Sequence, residues 1–520
     1  MTAALDATTL AACSLAAVPA GLRWLRVAQR EHYLPGATSR FALRWWGVSA
    51  LAATMGAGGV AAAVATVWVA PVALVTAAAA AAGPPGLGVR GRTSRLAFTR
   101  RLVTVAGAAA VLCGVVAGAS AAAGGLAGAV AGTALAVAML PALVDGALCA
   151  LHPLEERLAR RYVDSAADRL QQVAPAVVAV TGSYGKTSTK QYVAHLLSGR
   201  LSVVASPKSF NNRAGLARTV NELLSPGTEV LVAEMGAYGP GEIAALCRWL
   251  PPRIAVITAI GPVHLERFKS LERTLEAKAE ITERAERSVL NVDDARLAAL
   301  AGRLSAAGRA VTRCSAEDPG ADVAVIADGG ALTLLRAGTE QGTVKLEGGA
   351  PPAPSNLACA AAVAMALGCP PAEVLERMRT LPTPTARLEA TRAPGGAVVL
   401  DDTFNSNPAG ARLALAALAA AAPGGRRIVV TPGMVELGNR QAEENSAFAL
   451  AAAEVASDVV VVGRTNRAAL RKGVAAARTG GAEVALREVE TRERAVEWVR
   501  GAVGPGDAVL YENDLPDHYP

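Results

Sequence analysis

The chain has 520 residues, of which 52% are hydrophobic, 4% aromatic and 18% charged, with a formal charge of +7. It is too long for one domain, and soluble domains carry about 25% charged residues, so part of this chain is expected outside water. Residues 1–161 hold thirteen arginines, no lysine and five acidic residues. The remainder is therefore near neutral, which excludes a basic nucleic-acid-binding surface there, and no nucleic-acid partner is expected. Seven scattered cysteines without a CxxC pair exclude a zinc ribbon and a disulfide framework.

Residues 45–89 and 102–144 contain no charged residue. A membrane span takes about 20 apolar residues, so each stretch predicts a pair of spans joined by a tight turn. The first pair should turn near Trp68 and Pro71, since Trp favours the membrane interface and Pro breaks a helix. The second should turn near residues 121–125, with Gly124, Gly128 and Gly132 forming a small-residue seam. Thr8 to Leu22 is a weaker apolar segment without a basic leader or processing site. Five spans place three arginine clusters on one side: Arg23, Arg26, Arg30, Arg40 and Arg44; Arg90, Arg92, Arg95, Arg100 and Arg101; and Arg157, Arg160 and Arg161. The positive-inside rule then predicts a multi-pass region over residues 1–150 in the lipid bilayer of the cell membrane, with everything after it in the cytoplasm. Residues 151–174 predict a charged connector helix, lying on the lipid surface or in solvent.

After Pro175 strands and helices alternate, the pattern of an α/β fold. The strand 176–181 runs into Thr181-Gly182-Ser183-Tyr184-Gly185-Lys186-Thr187-Ser188, with a helix beginning near Lys186. Val180 stands where a complete GxxxxGK[ST] loop has its first glycine. The mechanics remain. Gly182 and Gly185 let backbone N–H groups wrap phosphate, the helix N-terminus adds positive potential, and Lys186 brings a charge to the β- and γ-phosphates. Thr187 and the neighbouring Ser188 supply hydroxyls, of which Thr187 suits Mg²⁺. Predicted strands 228–234 and 254–260 end at Glu234 and just before His264, at the carboxyl ends where open α/β sheets bind ligands. Taken singly, a Glu, a His or a Lys flanked by acids is an ordinary surface or core residue.

Taken together and in order, these segments resemble the Mur ligase family. The carriers are the 181–188 loop, Phe210-Asn211-Asn212 with Gly215, Glu234-Met235-Gly236 with Gly241-Glu242-Ile243, Gly261-Pro262-Val263-His264-Leu265-Glu266, and Glu276-Ala277-Lys278-Ala279-Glu280-Ile281. The resemblance covers roughly residues 175–510. It implies a P-loop ATPase central domain over 175–384 and a Rossmann-like C-terminal domain over 385–520. It also implies an ATP-dependent amide-bond ligase of peptidoglycan synthesis. Such an enzyme phosphorylates a carboxylate of a cell-wall precursor, and the amine of an amino acid or dipeptide attacks the acyl phosphate.

The catalytic set implied is Lys186, Glu234, His264, Lys278 and Arg387. Two Mg²⁺ ions are implied, one on Thr187 and Glu234 and one on His264 and Lys278, the lysine carrying a CO₂-derived carbamate. ATP contacts fall to the loop, Asn356, Arg387 and Asp402, and substrate contacts to Asn211, Asn212, Asn405 and Asn407. Residues 401–408 read DDTFNSNP where the dipeptide-adding branch of the family has DDSYNANP. Tyr511-Glu512-Asn513-Asp514 stands where that branch has a KGS-type segment. Apolar helices replace the family's UDP-sugar-binding domain. A donor that is lipid-linked and an altered acceptor are therefore expected. A membrane-associated poly-amino-acid synthase and a non-catalytic nucleotide-binding scaffold are the alternatives.

Overall fold

The structure, a computed structural model, describes the chain except residues 1, 48, 86, 90–95, 208–209, 264, 329, 346–351, 383–388, 404–405 and 516–520. Arg90, Arg92, Arg95, His264, Arg387 and Asn405 of the expectations above lie outside the described residues. By internal contacts the chain divides into two units, Met1–Leu158 and Ala159–Asp514.

The first unit is helical. Thr2–Arg30 forms one helix, longer than the apolar segment read from the sequence. Helices Ala50–Ala65 and Ala73–Ala82 form a hairpin that turns at Trp68–Val72, with Thr76 Oγ1 donating to Gly59 O at 2.9 Å. The apolar run Arg100–Ala138 breaks at Gly124 and Gly125, the latter at φ 60°. A Cβ on Gly132 would lie 2.9 Å from Val116 O. In a straight helix those residues would be about 24 Å apart, so the chain doubles back at the glycine pair. Of the small-residue seam read from the sequence, Gly128 and Gly132 make this contact, whereas Gly124 lies at the turn with nothing within 4 Å of a Cβ.

The sequence reading expects about five spans. Among the described residues, two helices are long and apolar enough to cross a membrane, or three if the bent pair Ala37–Trp46 and Ala50–Ala65 counts as one. The hairpin limbs are 16 and 10 residues long, short of the roughly 20 that a span takes, because Pro71 and the turn around it interrupt the apolar run. The connector is also different: Leu140–Val173 is one helix that continues through Pro153.

Two buried charges in this unit satisfy helix ends. Asp145 accepts from the backbone N–H groups of Thr38 and Ser39, at the start of helix Ala37–Trp46. Arg23 donates to the carbonyls of Ala80, Ala81 and Ala82 at the end of helix Ala73–Ala82, and to that of Leu87. Orphan groups at helix ends find partners, and each charge opposes the helix dipole. Gly83 is required here, since a Cβ would lie 2.2 Å from the Arg23 guanidinium.

The second unit holds two sheets. The first is built of β1 (Ala176–Thr181), β2 (Val203–Ala205), β3 (Val230–Glu234), β4 (Ile254–Ile257), β5 (Arg287–Asn291), β6 (Ala310–Ser315), β7 (Val323–Asp328), β8 (Ala331–Arg336) and β9 (Thr339–Lys345). Their order is β2-β3-β1-β4-β5-β6-β7-β8-β9, parallel up to β7 and antiparallel for the last two pairings. Val, Ile and Ala runs buried on both faces make β1, β3 and β4 interior strands of the sheet. Helix Pro354–Ala366 packs against Lys186–Leu197, and its buried alanines 358 and 360–362 allow close approach.

The second sheet holds β10 (Glu389–Arg392), β11 (Val398–Asp402), β12 (Arg427–Thr431), β13 (Asp458–Val462), β14 (Ala485–Val489) and β15 (Ala508–Glu512), in the order β10-β11-β15-β12-β13-β14. All pairings are parallel except β10 with β11. The last strand inserts between β11 and β12, which brings Asp402, Glu512 and Thr431 to neighbouring carboxyl ends.

Candidate active site

β1 lies between β3 and β4, and the chain crosses from one side of β1 to the other on passing from β3 to β4, so the carboxyl end of β1 is a topological switch point, where such sheets bind ligands. The glycine loop leaves β1 there. Gly182 (φ +151°) is held to glycine because a Cβ would lie 2.0 Å from Thr258 Oγ1, and Gly185 (φ +77°) because one would lie 2.3 Å from Asn356 Oδ1. Asn356 therefore abuts the loop. Helix Lys186–Leu197 starts with no side-chain cap, which leaves its first N–H groups available to an anion. Lys186 Nζ folds onto Gly182 O at 2.7 Å and Ser183 O at 3.3 Å, which keeps its charge at the loop. Ser183 exchanges hydrogen bonds with Gly261, fastening the loop to the segment after β4.

Glu234 ends β3, opposite Val180 in register. Its Oε2 accepts from Thr187 Oγ1 at 3.0 Å and Lys190 Nζ at 3.1 Å, and its Oε1 from Asn211 Nδ2 at 3.4 Å. Burial alone would raise the Glu234 carboxyl. The Lys190 and Lys186 charges and the bonds from Lys190 and Thr187 outweigh it and hold the carboxyl below its ordinary range. Lys190 was not singled out in the sequence. The signal available was its place one helical turn after Lys186, on the same face.

Lys278 is 4% exposed, on helix Leu271–Ala279, with its Nζ 5.8 Å from the centre of the Phe268 ring. Burial, with repulsion from Lys186, pushes its ammonium down to about 7.

These groups line a cleft of about 220 Å³. Gly182, Gly185, Lys186, Thr187, Ser188, Asn211, Asn212, Glu234 and Lys278 come together there, joined by Tyr184 and Tyr238, and by Ser406 and Asn407 from the second sheet's side. Asn212 and Asn407 each also cap a helix, accepting from Gly215 N and Gly410 N at 2.9 Å. Asp402 is buried at the end of β11, in register with Glu512, and is not among the residues lining the cleft.

Among the described residues no three His, Cys, Asp or Glu side chains gather to hold an ion. Thr187 and Glu234 offer two hard oxygens side by side. That suits Mg²⁺, which binds through one or two carboxylates and completes its shell with phosphate oxygens and water. Lys278 as an ammonium cannot be a ligand.

Residues 180–364 match the family described as Mur ligase middle domain, and residues 386–511 that described as Mur ligase, glutamate ligase domain. The UDP-N-acetylmuramoyl-tripeptide--D-alanyl-D-alanine ligase of Mycobacterium leprae is 34% identical over 366 residues, 64% of this chain and 70% of that one. The MurF ligase of Thermotoga maritima, solved in complex with ADP, is 26% identical with a TM-score of 0.58, over 68% of this chain and 80% of that one. A MurF structure from Acinetobacter baumannii shares the fold at 23% identity, with a TM-score of 0.60, over 68% and 77% of the two chains. The cleft has the phosphate-wrapping loop and the hard-oxygen pair that ATP and Mg²⁺ require. The chain belongs to the Mur ligase family and is a MurF-like, ATP-dependent ligase that forms peptide bonds.

Proposed function

We propose that this protein is a multi-pass protein of the cell membrane whose ligase unit faces the cytoplasm. There it joins the carboxylate of a lipid-linked peptidoglycan precursor to the amine of an amino acid or dipeptide. Residues 1–150 would lie in the membrane, 151–174 connect, 175–384 bind ATP, and 385–520 receive the amine. The relatives' names give a UDP-N-acetylmuramoyl tripeptide and D-alanyl-D-alanine as their substrates. The observation that carries the membrane reading is the first unit. Leu15 and Leu43 on helices, and Val67 and Trp68 at the hairpin turn, are 70–77% exposed and would otherwise show these apolar groups to water.

A lipid-borne donor is supported by a cavity of about 710 Å³ in that unit, lined by Arg23, Trp24, Trp46, Gly56, Thr76 and Met139 among others. The Arg23 bonds to Ala80, Ala81, Ala82 and Leu87 all go to carbonyl oxygens, which do not neutralise its charge. A largely apolar lining that includes a cation suits an anionic lipid.

In the ligase cleft, Lys186 and the loop amides would hold the ATP phosphates, and Thr187 and Glu234 the first Mg²⁺. A lysine pushed down to about 7 is neutral in good part at neutral pH and can take up CO₂. As a carbamate, Lys278 would offer anionic oxygens to a second Mg²⁺. Bound metal screens the repulsion between phosphate and donor carboxylate, and the side chains keep the reacting groups in line.

The test compares kcat/KM for lipid-linked and UDP-linked forms of one muramyl peptide, with the full-length protein in liposomes. The proposal predicts at least about tenfold preference for the lipid-linked form, from remote binding energy in the carrier. Equal or better use of the soluble form would reject the lipid-linked donor.

A further inference from the structure

Ser406, from the segment that reads DDTFNSNP, and Glu512, from the segment that stands in place of a KGS-type one, touch in the fold although 106 residues apart. The Ser406 hydroxyl donates to Glu512 Oε1. The other carboxyl oxygen accepts from Thr431 Oγ1 at 3.1 Å, and Thr431 itself accepts from Gly433 N at 2.9 Å, so its proton is committed to Glu512. Glu512 is 0% exposed and does not line the cleft, whereas Ser406 does. An ionised carboxylate only accepts hydrogen bonds. Ser406, with one proton directed at Glu512, has only lone pairs left to offer the cleft.

We propose that Glu512 is a positioning residue that fixes the polarity of Ser406, so that this wall accepts hydrogen bonds from the incoming molecule and selects N–H donors over carboxylates. Acceptors that place an amide or a second amine against Ser406 are favoured. Those that place a free carboxylate there meet a lone pair backed by the buried Glu512 and Asp402 carboxyls. A site built for one hydrogen-bond polarity discriminates strongly against the other, because a mismatched polar group is left unpaired. The inference rests on the amino-acid or dipeptide acceptor class proposed above and narrows it.

The experiment uses the full-length protein and paired acceptors, the free acid and the C-terminal amide of one amino acid and of one dipeptide. It runs at about pH 8, where Glu512, which burial pushes up to about 7, is ionised in good part. The wild type is expected to use each amide about tenfold better than its acid. Glu512→Gln places an N–H donor behind Ser406, freeing the hydroxyl to turn its proton into the cleft. It should raise the KM for the amides about tenfold and level the preference, with the KM for ATP unchanged. Ser406→Ala, a small surface change that tests the idea even if Glu512→Gln fails to fold, should also level the preference. Retention of the wild-type preference in Ser406→Ala, or better use of the acids by the wild type, would overturn the inference. A wild type that uses none of the four amines contradicts the acceptor class itself and the narrowing with it.

Discussion

The two walls of the cleft differ in kind. The wall from the first sheet is charged, lined by Lys186, Glu234 and Lys278, with Lys186 held by the glycine loop and Glu234 bonded to the buried Lys190. The wall from the second sheet presents Ser406 and Asn407, a hydroxyl and an amide, in front of buried carboxyls. Moving a phosphoryl group onto a carboxylate needs cations and metal ligands in fixed positions, so that wall tolerates little change. Choosing an amine needs only hydrogen bonds of the right polarity, and a single exchanged side chain can redirect them. The comparison implies that substitutions on the first wall remove turnover, whereas those on the second redirect it.

The largest expected effect is that of Lys186→Ala. It should lower kcat/KM by roughly 10³-fold or more, the scale of losing a cation from a phosphoryl-transfer site, and weaken ATP binding, measured by nucleotide titration. Lys278→Ala should abolish amide formation to a similar degree while ATP still binds, and short carboxylic acids added to the assay should restore part of the activity. Normal turnover in this variant would remove Lys278 from the chemistry.

Lys190→Met sharpens the comparison through stability. Lys190 and Glu234 are 4% and 6% exposed, and removing one partner of a buried pair costs about 3 kcal/mol, or roughly 4 °C in the Tm of a unit as large as Ala159–Asp514. A Tm shift below about 2 °C would show that Glu234 does not depend on this partner.

A smaller effect concerns pH. The Lys278 ammonium is held at about 7, below the ordinary lysine value, so the neutral amine that takes up CO₂ is lost as pH falls through 7. Activity in CO₂-depleted buffer should decline on that side, and added bicarbonate should restore it several-fold. Activity indifferent to bicarbonate across this range would argue against the carbamate.

Much of the first wall was legible because its parts are local. The 181–188 loop follows directly on its strand, and Glu234 ends a run of apolar strand residues. The Lys190–Glu234 pair was not legible, since it needs both the helical phase after Lys186 and the β1–β3 pairing. The Ser406–Glu512 contact was hidden for the same reason. Both residues stand in segments quoted from the sequence, but only the insertion of β15 between β11 and β12 brings them together. In the helical unit the turn at Gly124–Gly125 followed from composition. Limb lengths and the passage of one helix through Pro153 did not, because apolar composition does not say where a helix stops.

The most direct test of the ligase account follows oxygen. The donor carboxylate is labelled with heavy oxygen, and the full-length protein is supplied with ATP, Mg²⁺ and an amine acceptor. The phosphate released is then analysed by mass spectrometry. Activation of the carboxylate by phosphoryl transfer predicts one labelled oxygen in the phosphate for each amide formed. Amide formation with unlabelled phosphate, or ADP release without amide, would contradict it.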